Sequence, residues 1–587
     1  MASLAREISG EFNGAAASGS NTTPHIPDTA RPYSGLQSNF KWKNVQKRYP
    51  IDSVIPLPSG PAASIPKIQY DFEPETNAER RARLRKLDAV RDSFKHSWEG
   101  YKTHAWLQDE VKPLSGTHKN VFGGWGATLV DSLDTLWIMG LRKEFEVAVA
   151  ALKKIDFTVS QEQHVNVFET TIRYLGGLLS AYDVSEGRYP ELLDKAIDLG
   201  EMLYVAFDTP NYMPVARWDW KNGAENGPQE AEKHTLIAEL GSLSLEFTRL
   251  TQLSGDPKYY DAIARVTDVL SMHQNTTRLP GMYPIMIDAQ SQDFRKDRTF
   301  TLGGMADSVY EYFPKQHLLL GGRTPQYRDL YDFSILTARE NLFFRPLTPS
   351  NRSLLISGTA KSTATNRVRL TPEGQHLTCF AGGMVALAAR VFDRPEELDV
   401  ARQLVDGCVW AYESMPSGIM PEVFTAVPCA DPEVDDCEWD EGRWHDAIVA
   451  AHKKAEYLGL SREEHAEAVI KQHGLAPGFV DVADGRYMLR PEAIESLFVL
   501  YRVTGDEGLR EEAWRMFQKI ERAARTRIAY AAVQDVRVEE PMLEDSMESF
   551  WTAETLKYFY LIFSEPGVVS LDEFVLNTEA HPLRRPD

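Results

Sequence analysis

Cysteine is scarce, at 4 in 587 residues, and no paired Cys and His spacing of a structural zinc site is present. There is no HExxH helix, no glycine-rich phosphate loop and no GxSxG elbow, so zinc proteolysis, P-loop phosphoryl transfer and nucleophile-elbow hydrolysis have no support. Positive charge is also short: Lys and Arg number 64 against 85 Asp and Glu, a formal net charge of −21. Recognition of phosphate needs clustered cations, which argues against nucleic acid and anionic membrane as partners. The one basic run, ERRARLRKLDAVRDSF from Glu79, is interleaved with acids and reads as the surface of an amphipathic helix starting at Asn77. No stretch of about 18 apolar residues occurs. The opening MASLAREISGEFNGAAASGS has no apolar h-region, so neither a membrane span nor a secretory leader is written in the chain.

What the chain does have is core material, 43% hydrophobic residues with 12 Trp, and a repeated pattern. Seven apolar helical segments each carry a polar group near one end: Asp131, Glu169, Glu239, Asp307, His376, Glu492 and Glu548. Glu169 to Glu239 is 70 residues, Glu239 to Asp307 is 68 and Asp307 to His376 is 69. That period suits one helix out and one back per unit, and predicts stacked helical hairpins arranged as a ring. The ring is expected over residues 80–587, with 1–75, rich in Gly, Ser, Pro and Ala, as a flexible stem. The interval from His376 to Glu492 is longer, 116 residues, and its PEVFTAVPCADPEVDDCEWDEGRW and VADGRYML read as loops and short strands reaching over one end. The tail after the last helix carries Thr578, Glu579 and His581 and is expected to plug the ring.

The cysteines are either buried thiols or two disulfides. Cys429 and Cys437 flank an acidic loop, while Cys379 and Cys408 sit on helical segments. Sequons at Asn21, Asn275 and Asn351 point with the disulfide reading to an oxidising compartment, hence the lumen of the secretory pathway.

A single Glu at a helix start needs no function, because the macrodipole favours it by a few tenths to about 1 kcal/mol. Arg173 four residues after Glu169, Glu495 three after Glu492, and Glu548 and Glu554 around Phe550 are less easily dismissed, since these spacings put both groups on one helix face. If the inner helices start at the same end, the carboxylates meet in one acidic cavity and raise one another's pKa, which suits acid and base work. Carboxylates with aromatic faces suggest a sugar ligand and glycoside hydrolysis. The excess negative charge invites a hard cation such as Ca²⁺.

From about Phe94 to Leu583 the chain resembles the class I α-1,2-mannosidases, glycoside hydrolase family 47. The likeness rests on GGWGATLVDSLDTLWIMGL, FETTIRYLGGLLSAY, HTLIAELGSLSLEF, ADSVYEYFPKQ, HLTCFAGGM, LRPEAIESLFVLYRVTGD, ESFWTAETLKYFYLIF and LNTEAHPL. The resemblance implies an all-α (α/α)₇ barrel closed by a C-terminal hairpin. It implies Glu169 as general acid, Asp307 as a second catalytic carboxylate and Glu492 as the base that activates water, in an inverting reaction with carboxyls about 6.5–9.5 Å apart. It places Thr578 as the Ca²⁺ ligand and a disulfide between Cys379 and Cys408. Arg173, Glu239, His376, Arg490, Glu495, Phe550, Glu554 and Glu579 match substrate-pocket positions, with Phe550 under the terminal sugar.

One position departs from part of the family. Members of the endoplasmic reticulum that remove a single mannose carry Arg two residues before the catalytic Asp, and this chain has Met305. Loss of that donor fork favours trimming of several α-1,2 mannoses from oligomannose N-glycans by a monomeric catalytic domain. The competing readings are a degradation-enhancing, mannosidase-like protein acting on misfolded glycoproteins and an oligomannose-binding lectin without turnover.

Overall fold

The computed structural model describes residues 34–37, 39–363, 367–429, 437–453, 457 and 459–586. Seven helices form an inner ring: Leu133–Ile138, Gly176–Val184, Ser244–Ser254, Asp307–Leu319, Phe380–Val391, Glu492–Thr504 and Leu556–Ile562. Segments such as FAGGMVALAARV and LKYFYLI are apolar nearly all round, the composition of a helix enclosed on every side. Each inner helix packs on the next. The π-helical turn Trp551–Thr555, just ahead of the last one, touches Leu133–Ile138 and closes the circle.

Six outer helices, Arg142–Ala151, Pro190–Val205, Lys258–His273, Gln326–Asn341, Glu397–Ser414 and Glu507–Ala524, each cover the inner helix that precedes them. They are amphipathic: Glu507–Ala524 buries Leu509, Ala513, Met516, Phe517, Ile520 and Ala524 along one stripe. The seventh, Asn77–His104, comes first in the chain yet covers the last inner helix, Leu556–Ile562. A capping box of Thr76 and Glu79 fixes its start. The architecture is thus the expected (α/α)₇ barrel. The close approach of Phe380–Val391 to Glu492–Thr504 depends on Gly383, where a Cβ would lie 3.1 Å from the Cα of Ser496.

The C-terminal strands Phe574–Leu576 and Pro582–Arg584 pair antiparallel and pack inside the ring against Gly176–Val184. Beneath them, fully buried Asp134 accepts from Lys557 Nζ at 2.8 Å and Ser180 Oγ at 2.8 Å and lies 2.9 Å from His581 Nδ1. The long interval contains expected strands, Val423–Ala426 and Phe479–Asp484, which form one antiparallel sheet with Glu373–Gln375 just ahead of it. It also holds two helices that the sequence reading did not identify, Glu441–Ala451, whose first turn falls in a segment read as loop, and Arg462–His473.

The described part of the stem departs from expectation. Residues 39–75 run along the outside of the barrel, held at intervals: Trp42 is buried with its Nε1 on Phe157 O at 3.2 Å, Ile55 N donates to Asp261 at 2.7 Å, and buried Ile68 donates to Asp572 at 2.7 Å. Isolated apolar anchors with backbone donors between them leave no helical or strand period to read. Cys379 pairs with Cys408 and Cys429 with Cys437. Asn275 and Asn351 are exposed, while Asn21 lies outside the described residues.

Candidate active site

The inner helices start at one end, and their first turns deliver the carboxylates. Asp307 and Glu492 open their helices, and Glu239 lies in the short turn Ile237–Gly241. Glu169 ends the turn Val167–Glu169, whose N-cap Asn166 accepts from Glu169 N at 3.2 Å. The chain then widens into a π-helical turn, Thr170–Leu175, and a second one, Trp551–Thr555, carries Glu554. Such turns concentrate at functional sites because they swing side chains off the α-helical register.

A chamber of about 60 Å³ is lined by Glu169, Arg173, Asp307, Arg490, Glu492, Glu495, Phe550, Glu554, Thr578 and Glu579, together with Glu548 and Glu311. It adjoins a larger cavity of about 510 Å³, lined in part by Glu239, Arg217, Met305 and Glu422. Phe122, Glu169, Leu377 and Arg490 border both. Arg173 ties the chamber wall together, with Nε donating to Glu169 at 2.9 Å and Nη1 lying 2.8 Å from Glu579 and 3.1 Å from Ser549 Oγ. Arg490 donates to Glu422 at 2.5 Å and faces Glu492 at 3.8 Å. Phe550 is flanked by both guanidinium groups, each 5.8 Å from its ring centre, and is thereby fixed as a flat apolar surface.

His376 does not line the chamber. It is fully buried behind Glu492, with Nδ1 2.7 Å from Glu492 Oε2 and Nε2 2.7 Å from the Tyr412 hydroxyl. An ionised carboxylate only accepts, so His376 donates from Nδ1 to Glu492, and the Tyr412 hydroxyl holds the other ring nitrogen in place. Asp131, a helix-heading carboxylate, also turns away from the cavity and bonds Ser549 at 2.5 Å and His581 at 2.9 Å.

The carboxylates separate electrostatically. Burial, with the charges of Glu311 and Glu492, pushes Asp307 up to about 7. Burial pushes Glu495 up to about 8 in spite of Lys315, and Glu579 up to about 8 in spite of Arg173. Glu554 is raised well above the ordinary carboxylate range by burial and by Glu579, Glu492 and Glu495. Glu239 rises to about 7 through burial, which outweighs Arg217. Glu492 is the exception: burial opposes it, yet the His376 hydrogen bond and the Arg490 charge hold it below its ordinary value. Glu548 is likewise held down to about 2 against burial by Lys119. Depressed Glu492 and Glu548 thus face raised Asp307, Glu495, Glu554 and Glu579 across the chamber, an arrangement that divides base from acid.

The sequence reading missed Glu311, Lys315, Glu422, Arg217 and Phe122. Lys315 Nζ lies 2.6 Å from Glu311 and 3.3 Å from Glu495. Asp307, Glu311 and Lys315 follow one another at i, i+4, i+8, so two of these were readable from helical spacing. Glu422 and Arg217 come from strands or loops distant in sequence and carry no local signal.

The lining also fits a hard cation. Eight carboxylates face the chamber against two guanidinium groups, and the buried oxygens Asp307 Oδ2 and Glu579 Oε2 have no hydrogen-bond partner. Among the described residues no three His, Cys, Asp or Glu side chains converge on one metal-sized point. Thr578, the ligand that the resemblance implies, lies in this lining, and an all-oxygen environment of hydroxyl, carbonyl, carboxylate and water is of the kind Ca²⁺ takes.

Comparison with known proteins agrees with this geometry. The chain is 35% identical to the endoplasmic reticulum mannosyl-oligosaccharide 1,2-alpha-mannosidase of Homo sapiens over 84% of its length, and spans 63% of that relative. It is 33% identical to the mannosyl-oligosaccharide alpha-1,2-mannosidase of Penicillium citrinum, covering 91% of this chain and 99% of the other. The structure of the alpha-1,2-mannosidase from Trichoderma reesei superposes with a TM-score of 0.73 at 30% identity, over 86% of this chain and 99% of that one. The sequence profile described as Glycosyl hydrolase family 47 matches residues 93–585, and the chain belongs to that family.

Proposed function

We propose that this chain is an exo-acting, inverting α-1,2-mannosidase that trims oligomannose N-glycans in the lumen of the secretory pathway. The observation that carries this reading is the carboxylate-lined chamber with Phe550 on its wall, which opens on the larger cavity: its acids and aromatic face suit a terminal sugar, and the second cavity has room for more of a branched glycan.

Glu492 is the base. Its low pKa keeps it ionised, and His376 and Arg490 orient its two oxygens so that it can take a proton from water aimed at the anomeric carbon. Glu169, at the border of the two cavities where the glycosidic oxygen would cross, is the general acid; Arg173 fixes its carboxylate. Asp307, deep in the chamber and proton-retaining, is the second catalytic carboxylate. Phe550 lies under the apolar face of the terminal mannose. Ca²⁺ held through Thr578 would supply charge that orients sugar hydroxyls. Arg490, Glu495, Glu554 and Glu579 have free acceptor or donor capacity for those hydroxyls, and Glu239 meets the glycan in the outer cavity. Met305 on the outer wall is apolar, which suits removal of several mannoses instead of one.

The test is mass analysis over time of an oligomannose N-glycan incubated with the protein, with Ca²⁺ and with chelator. Calcium-dependent release of several α-1,2-linked mannoses supports the reading. Glycan binding with no free mannose would replace it with a lectin.

A further inference from the structure

The turn that carries Thr578 is held from outside the chamber. Asn577 is fully buried, and its side chain works in two directions. Oδ1 accepts from Glu579 N and His581 N, both at 2.9 Å, which folds the turn on itself. Nδ2 donates to Ile172 O at 3.0 Å and to Glu246 Oε1 at 2.7 Å. Glu246 stands on the inner helix Ser244–Ser254, fully buried and not among the residues lining either cavity. Its Oε1 also accepts from Tyr312 Oη at 2.7 Å, and Tyr312 Oη accepts from Thr578 N at 3.3 Å. Gly176 leaves room for this tie, since a Cβ there would stand 2.6 Å from Asn577 Nδ2.

We infer that Glu246, Tyr312 and Asn577 are positioning residues that set the two Thr578 oxygens for the cation. The inference rests on the calcium reading given above. Two inner helices are thereby coupled to one turn: Tyr312, on Asp307–Leu319, reaches the backbone of Thr578 itself, and Glu246 fixes both Tyr312 and Asn577. A buried carboxylate with no cation beside it is a costly anchor unless its hydrogen bonds do something a neutral side chain could not. Here it accepts from two groups that otherwise have freedom to rotate, and both lead to Thr578.

Asn577→Asp separates positioning from mere packing. It keeps the acceptor that folds the turn but sets a carboxylate oxygen against Glu246 and Ile172 O. Ca²⁺ affinity, read by calorimetric titration of the full chain after chelator treatment, should fall on the order of a hundredfold. At saturating Ca²⁺ its turnover should recover to within several-fold of the parent. Adding Glu246→Gln returns a donor to the pair, and about tenfold of the lost affinity should come back. Tyr312→Phe, which preserves the ring packing and serves if the Asn577→Asp variant fails to fold, should weaken Ca²⁺ about tenfold. Parent-like affinity in Asn577→Asp or in Tyr312→Phe, or no recovery in the double variant, overturns the inference while leaving the enzyme reading intact. A parent protein that binds no Ca²⁺ removes the calcium reading and this inference together.

Discussion

Replacing His376 with alanine should move the acidic limb of the pH profile of kcat/KM upward. In the parent, burial alone would raise Glu492, and the 2.7 Å hydrogen bond from His376, with Arg490 at 3.8 Å, reverses that effect. A hydrogen bond to a charged group contributes about 1.5–3 kcal/mol. At about 1.36 kcal/mol per pKa unit that is a rise of about one to two units for Glu492. The sign follows from the role: a base works only when ionised, so a higher pKa removes activity at the low end of pH and leaves it near neutrality. Folding stability moves in the same sense. The depressed pKa of Glu492 contributes stability above its unfolded value that is lost as pH falls through the folded one, and the alanine variant forfeits that contribution. The assay is release of mannose from an oligomannose substrate across pH 4 to 8, about the range over which these carboxylates titrate, with far-ultraviolet circular dichroism at each point. Tyr412→Phe should shift the limb in the same direction by less, because His376 keeps its place. A uniform loss of rate at every pH, with the limb unmoved, would refute the argument and leave His376 as a packing residue.

Three further outcomes are expected. Glu492→Gln should bind oligomannose with near-parent affinity while kcat falls by about 10² or more, measured by calorimetry beside turnover; near-parent turnover would remove Glu492 from the role of base. Met305→Arg should restore a donor fork to the outer cavity and halt the product series after one mannose, as read by mass spectrometry; an unchanged series would mean that Met305 does not set the extent of trimming. Replacing Cys379 and Cys408 together with alanine opens a loop of 29 residues and should cost about 3 to 4 kcal/mol in denaturant unfolding, a loss of less than about 1 kcal/mol contradicting the loop-entropy argument.

Much of this site was legible because helical spacing converts position into direction. Glu169 with Arg173, Glu492 with Glu495, and the heading carboxylates at intervals near 70 residues announce helices that start together, and the structure brings Glu169, Arg173, Asp307, Glu492 and Glu495 into one chamber with Glu239 in the cavity beside it. The same logic would have found Glu311 and Lys315, one and two turns beyond Asp307. It fails for Glu422, which reaches Arg490 across a strand pairing with no local trace, and for Asp131, whose place at a helix start is identical to the others but whose partners are Ser549 and His581. The helix Arg462–His473 carried a readable capping box in Ser461 and Glu464 that its loop-like surroundings obscured. The extended segment 39–75 gave no period because its anchors, Trp42, Ile55 and Ile68, are single apolar side chains packed on the core far apart in sequence.

The pairing of Asn77–His104 with Leu556–Ile562 makes the barrel a hoop whose clasp joins the two ends of the domain. During synthesis the first helix emerges with its apolar face uncovered, and its cover is nearly the last helix made. The chamber is later still, because the turn bearing Thr578 follows the clasp. Any chain that stops short of these residues is therefore an open arc with an exposed seam, and catalytic competence requires that the strands Phe574–Leu576 and Pro582–Arg584 have been made. A barrel wired in this way has little tolerance of truncation before Arg584, where its last strand ends.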